Sequence, residues 1–189
     1  MEREIIFTGI GGQGIQLMAK VLAQAAADEG KHTMLFGLYG GAMRGGPSDS
    51  TVVIGDGPIE APPIVPACWS IVAMHPSSLP ALLPRLRSAG LLFANETLVQ
   101  VTPPPRATAV PVPATRMAEQ AGNPMGAGMI MLGAFVAHTA VAPLERVVAA
   151  MRASLPAHRA RMADANAALL ERGADWARTA GHAATAGAA

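Results

Sequence analysis

At 189 residues the chain is long enough for one compact domain with a sizeable core, and short for two. With 51% hydrophobic and only 14% charged residues, the composition excludes an intrinsically disordered chain. A formal net charge of +1 without a basic cluster gives no support to nucleic-acid binding by bulk electrostatics, and no apolar run is long enough to span a bilayer.

The opening Met1-Glu2-Arg3-Glu4 runs directly into apolar sequence, with no cationic leader or small-residue cleavage site, which predicts a cytoplasmic setting. A surface this poor in charge fits either coverage by partner subunits or an alanine-rich coding bias. The one cysteine, Cys68, has no partner for an internal disulfide and cannot support an iron–sulfur cluster or a structural zinc site. It reads as a buried small apolar residue beside Trp69.

In chain order, residues 4–8 predict a first strand and residues 13–29 a first helix. Ile15, Met18, Ala19, Leu22, Ala25 and Ala26 recur on one face of that helix, and Gly30 is its stop. His32–Phe36 predicts a second strand, expected to lie parallel to the first through a right-handed helical crossover. Residues 37–50 form a glycine-dense loop, and Ser50–Ile54 resumes strand character before a turn at Gly55-Asp56-Gly57-Pro58. After a proline-rich stretch over 59–68, Trp69–Met74 predicts a strand ending at His75-Pro76. Residues 77–88 predict a helix, and Leu91–Ala94 a strand ending at Asn95. Five prolines between Thr102 and Pro113 predict extended chain, with an edge strand around 107–112. Helices follow over 114–121, 125–139, 143–154 and 157–172. The second of these is apolar all round and therefore expected to be buried. The whole predicts one α/β domain over residues 1–178 and an Ala/Gly-rich tail over 179–189. Its fold is Rossmann-like: an open, mostly parallel sheet with helices on both faces and a helical C-terminal part.

The chemistry concentrates where the first strand meets the first helix. Gly9, Gly11, Gly12 and Gly14 fall within six residues, and Gly9, Gly11 and Gly14 satisfy the G-x-G-x-x-G spacing. Such a turn lets backbone N–H groups approach an anion closely, and the helix N-terminus adds partial positive charge. A dinucleotide site would also require a carboxylate at the end of the second strand, where Phe36-Gly37-Leu38-Tyr39 offers none. A different phosphate-bearing ligand fits better, and glycines that only allow close helix–strand packing are the plain alternative. Arg44, followed by Gly45 and Gly46, forms a second glycine loop suited to fork-like recognition of a carboxylate or phosphate. Its plain alternative is an arginine bonded to the carbonyls of its own loop. Loops after parallel strands leave the same sheet edge, so Gly9–Gln13 and Tyr39–Gly46 are expected to line one crevice. The five histidines are scattered without metal-ligand spacing. His138 reads as a core or helix-end residue, and His75 stands at the expected ligand-facing edge. No catalytic residue and no metal site is assigned.

These motifs resemble the gamma subunit of the 2-oxoacid:ferredoxin oxidoreductases, a family spanning pyruvate, 2-oxoglutarate, branched-chain 2-oxoacid, indolepyruvate and phenylglyoxylate enzymes. The matching residues are Gly9-Ile10-Gly11-Gly12-Gln13-Gly14, Tyr39-Gly40-Gly41-Ala42-Met43-Arg44-Gly45-Gly46, Ser50–Ile54 and Pro58-Ile59. Val112-Pro113-Ala114-Thr115, the run from Gly122-Asn123-Pro124 to Met131-Leu132-Gly133-Ala134, and Asn166-Ala167-Ala168 with Gly173 complete the set. Ala42 and Gly128 depart from the pattern, standing where many relatives carry a glutamate and an asparagine. The resemblance implies oxidative decarboxylation of a 2-oxoacid to an acyl-CoA, with electrons leaving through iron–sulfur clusters. It places thiamine diphosphate and magnesium between alpha and beta subunits, and the clusters in a ferredoxin-like delta subunit. This chain would pack against those partners and help hold coenzyme A through Gly9, Gly11, Gly12, Gln13, Gly14, Arg44, Gly45 and Gly46. Two other readings stand beside it: a stand-alone dinucleotide-binding oxidoreductase and a purely structural scaffold subunit.

Overall fold

A computed structural model describes residues 1–39, 45–62, 64–100 and 102–180. Its centre is a six-stranded sheet in the order β2-β3-β1-β4-β5-β6. The strands are β1 (Glu2–Ile10), β2 (His32–Tyr39), β3 (Pro47–Gly55), β4 (Cys68–Ala73), β5 (Leu86–Asn95) and β6 (Thr108–Val112). β1, β4, β5 and β6 pair parallel in sequence, while β3 lies antiparallel to both β1 and β2. Five of the six strands therefore run the same way, as an open α/β sheet requires.

The expected side-by-side pairing of the first two strands is corrected here. β3 sits between them, with Phe7 opposite Ser50 on one side and Gly37 opposite Ser50 on the other. The cause is local. β2 runs on to Tyr39 and β3 starts at Pro47, so only residues 40–46 join them. A connection that short returns the chain as a hairpin, which places β3 antiparallel and next to β2.

The helices are α1 (Ile15–Asp28), α2 (Leu79–Leu82), α3 (Ala114–Gln120), α4 (Ala127–Thr139), α5 (Leu144–Ser154) and α6 (Ala163–Thr179). All six apolar positions expected to face inward on α1 are buried. Most helical mass covers one face, where Ile5, Phe7, Val52, Ile54, Val72 and Phe93 meet α1, α4 and α6. The opposite face, with Ile6, Val53, Ile71 and Leu92, is covered more thinly, by Val65, Leu79, Leu82 and Val99. The helix expected over 77–88 shrinks to α2 and a 3-10 turn at Leu83–Arg85, and Leu86 already belongs to β5. Pro84 explains the break, because it lacks the N–H that would continue the helical ladder and its ring clashes with the preceding turn. Likewise, the stretch 157–162 is 3-10 rather than α-helical.

Helix α4 is the buried helix its composition predicts, with every residue from Ala127 to Val136 buried. It packs on α6 at very short range. A Cβ on Gly133 would lie 1.9 Å from the Leu170 carbonyl oxygen, and one on Gly173 would lie 2.0 Å from the Ile130 carbonyl oxygen. Phe135 joins this layer to the sheet through edge-on contacts with Phe7, Trp69 and Phe93. His138 closes the helix with an edge-on contact to Phe93, the helix-end role expected of it. Of the tail, Thr179 ends α6, and residues from 181 onward lie outside the described residues.

Candidate functional site

The sheet directs the site to one edge. The carboxyl ends of β1 and β4 are neighbours, and from them the chain winds off in opposite directions, through α1 to β2 and toward β5 and β6. Crevices of wound sheets form at such switch points. The glycine turn of residues 11–14 follows β1 there, and Met74-His75 follows β4.

Backbone conformation shapes the turn. Gly12 has φ +101° and Gly14 has φ +76°, values that side-chain-bearing residues rarely adopt. Among the described residues a Cβ on either would meet nothing within 4 Å, so nothing described fills the space above both. Gly9 serves packing instead, since a Cβ there would lie 2.6 Å from Gln13 Oε1 and 2.7 Å from Ile15 Cδ1. The two glycine loops do meet. Gly11 N–H donates to the Gly46 carbonyl at 2.9 Å, and a Cβ on Gly11 would come 3.3 Å from Gly45 N. Arg44 lies outside the described residues, as does Ala42.

Only some of the glycine turn's backbone N–H groups are free. Gly11 N–H is committed to Gly46, and Gln13 N–H donates to the Ile10 carbonyl at 3.2 Å. Gly12 and Gly14 N–H have no partner among the described residues. The first turn of α1 adds further amides, because no side chain caps that helix. The Gln13 side chain is turned inward. Its Oε1 accepts from Ile10 N–H at 3.0 Å, and its Nε2 donates to the Met74 carbonyl at 3.4 Å, tying β1 to β4.

Further residues join the site that the sequence reading did not assign to it. Asn95, fully buried at the end of β5, donates to the Met74 carbonyl at 3.4 Å and to Thr115 Oγ1 at 2.8 Å. It also accepts from Thr115 N–H at 3.3 Å, at the start of α3. The signal available was an asparagine directly after an apolar strand, which marks the strand's end but not its partners. On the other flank, Thr8 Oγ1 donates to Asp49 Oδ1 at 2.6 Å, and Gln16 Nε2 reaches the Asp49 carbonyl at 3.2 Å. Gly128 brings α4 to the turn, since a Cβ there would sit 2.9 Å from the Gln13 carbonyl oxygen. The N-termini of α1 and α4 therefore converge on the same turn, and both contribute partial positive charge. His75 is half-exposed, with its Nδ1 accepting from Ser77 N–H at 3.2 Å.

The shifted titrating groups lie away from this edge. Burial, reinforced by the Glu4 carboxylate, pushes the Cys68 thiol up to about 12. Hydrogen bonding and charge from Lys31, followed by the N-terminal amine, hold the exposed Asp56 carboxyl below its ordinary value. Among the described residues the site is thus a set of backbone donors and helix ends, the kind of arrangement that suits an anion. Because β3 separates β2 from β1, the end of the second strand is also not beside the turn, where a ribose-binding carboxylate would have to stand.

Comparison with known proteins gives a consistent result. The family model for pyruvate ferredoxin/flavodoxin oxidoreductase matches residues 4–176. Ketoisovalerate oxidoreductase subunit VorA of Methanothermobacter marburgensis is 33% identical over 179 residues, covering 94% of this chain but 37% of VorA. The chain therefore spans little more than a third of that relative's length. The keto/oxoacid ferredoxin oxidoreductase gamma subunit of Geobacter sulfurreducens superposes with a TM-score of 0.80 at 28% identity, over 95% of this chain and 98% of that one. A 2-oxoglutarate:ferredoxin oxidoreductase from Magnetococcus marinus, solved with 2-oxoglutarate, coenzyme A and succinyl-CoA bound, shares the fold. Its TM-score is 0.78 at 14% identity, over 94% of this chain and 30% of that chain. No helix among the described residues is long and apolar enough to cross a membrane.

Proposed function

The chain belongs to the pyruvate ferredoxin/flavodoxin oxidoreductase family, and we propose that it is the gamma subunit of a multi-subunit, CoA-acylating 2-oxoacid oxidoreductase. The complex would convert a 2-oxoacid and coenzyme A to an acyl-CoA and CO2, passing electrons to an external acceptor in the cytoplasm. Alpha and beta subunits would hold thiamine diphosphate with magnesium, and a ferredoxin-like delta subunit the iron–sulfur clusters. This chain supports that division, since its single cysteine is buried and could not ligate a cluster.

Its own task would be to hold coenzyme A. The observation that carries this reading is that, among the described residues, the space over Gly12 and Gly14 is open and their N–H groups are unused beside the α1 N-terminus. A pyrophosphate seated there would accept from those amides and from the first turn of α1. Gly45 and Gly46 hold the turn in place from the other side, and Arg44, next in sequence, is assigned to a second anionic group of the ligand. Gly9 and Gln13 would act by shaping the turn rather than by touching the ligand.

The test is Gly12→Val in the assembled complex. A valine side chain would project into the space the phosphates need, so the KM for coenzyme A is expected to rise at least tenfold while the KM for the 2-oxoacid stays put. An unchanged KM for coenzyme A removes the turn from ligand binding. Calorimetry separates the dinucleotide reading: tight NADH binding without coenzyme A binding would favour it.

A further inference from the structure

Among the described residues few large apolar side chains are exposed, and one of them stands in the turn that leads into α4, the helix whose start meets the glycine turn. Met125 is 72% exposed, in the short 3-10 turn Pro124–Gly126 that leads into α4. Three residues later, Gly128 lies against the Gln13 carbonyl, close enough that even a Cβ would be 2.9 Å from it. Residues three apart on a helical turn share a face. Met125 is therefore on the flank of α4 that faces the turn, one turn nearer the carboxyl edge of the sheet. On the flank toward α6, Gly126 is pinned, because a Cβ there would fall 2.1 Å from Leu169 Cδ1. The helix start is thus fixed in position, and the exposed Met125 is carried on a rigid support.

We infer that Met125 is a ligand-contacting residue that packs on the apolar group flanking the pyrophosphate. This inference rests on the reading of the turn as a coenzyme A site. A coenzyme A whose pyrophosphate sat at Gly12 and Gly14 would carry a less polar group on each side of it: the adenine ring on one and the dimethyl-bearing arm of pantetheine on the other. A thioether on a flexible, unbranched chain suits either surface. The amides of the turn recognise charge and are indifferent to what the phosphates carry. An apolar platform beside them would supply discrimination between coenzyme A and other phosphorylated ligands.

The experiment measures the apparent KM for coenzyme A of the assembled complex carrying Met125→Ala, Met125→Leu or Gly12→Val, with adenosine 3′,5′-bisphosphate as a competitive inhibitor. Met125→Ala is expected to raise the KM about five- to tenfold, the equivalent of losing roughly half of what burying a whole methionine side chain contributes. Met125→Leu is expected to stay within about twofold of the parent, because the apolar contact is kept. An inhibition constant for adenosine 3′,5′-bisphosphate unchanged in Met125→Ala places the contact on the pantetheine arm, and a parallel rise places it on adenine. A KM that Met125→Ala leaves alone, while Gly12→Val raises it, overturns the role of Met125 and preserves the turn. Equal rises for alanine and leucine also overturn it, since an apolar contact would tolerate leucine. If Gly12→Val has no effect either, the coenzyme A site itself is refuted.

Discussion

Two side-chain amides, Gln13 and Asn95, converge on the Met74 carbonyl and fasten the carboxyl ends of β1, β4 and β5 to the start of α3. Asn95 is fully buried, so replacing it with leucine keeps the branched shape but removes the donor to the buried Met74 carbonyl and the acceptor of Thr115 N–H. Unsatisfied buried polar groups cost about 1–3 kcal/mol each. Asn95→Leu is therefore expected to lower the unfolding free energy by about 2–4 kcal/mol in urea denaturation, where a loss under 0.5 kcal/mol would show the network to be slack. At the far end of β4, Cys68 is buried and its thiol is pushed up to about 12, so it stays protonated in ordinary buffers. A thiol reagent at pH 8 is expected to modify the native chain orders of magnitude more slowly than the urea-unfolded chain. Rapid native labelling would contradict its burial. Residue types at the turn were legible from spacing alone. The inward use of Gln13 was not, because its partner Met74 stands 61 positions away and only the fold brings them together.

Among the elements, what sequence periodicity reads well is whatever a single segment decides. The inward face of α1 and the all-round burial of α4 were legible for that reason. Strand neighbours depend on connections, and the short link between β2 and β3 overrode the expectation that β1 and β2 would pair. The crossing of α4 and α6 shows the same limit. Nothing in the spacing of Gly133 and Gly173 announces that each faces a carbonyl of the other helix at a distance no Cβ can share. Gly133→Ala must push the helices apart against a layer already close-packed around Phe135. Overpacking of this kind typically costs about 1–3 kcal/mol, and a backbone obstacle with no rotamer escape belongs at the upper end. A melting temperature lower by at least about 8 °C is the expected outcome. An unchanged one would mean that the two helices sit further apart than described.

At the scale of the whole molecule, the same fold occurs in two covalent settings. It makes up nearly all of the Geobacter gamma subunit, and less than a third of the Magnetococcus chain. A module that can be fused or separate must keep its own core, and the sheet with its α1, α4 and α6 layer supplies one. On the proposed reading it would also have to present surface to partner subunits. The thinly covered sheet face and the small share of charged residues fit a chain that meets partners over a broad area. On that reading the edge after β1 binds a ligand while the redox chemistry lies in other subunits. The purified chain alone is therefore expected to bind coenzyme A yet leave a 2-oxoacid and a viologen dye unchanged. Turnover should appear only when thiamine- and cluster-bearing subunits are co-expressed, and affinity purification through a tag on this chain should retain them. Dye reduction by the single chain would show that it carries a redox centre of its own. Turnover by the partner subunits at full rate without this chain would reduce it to a bystander. Restoration of coenzyme A saturation on adding the chain back, with Gly12→Val failing to restore it, would tie the assembly to the turn that follows β1.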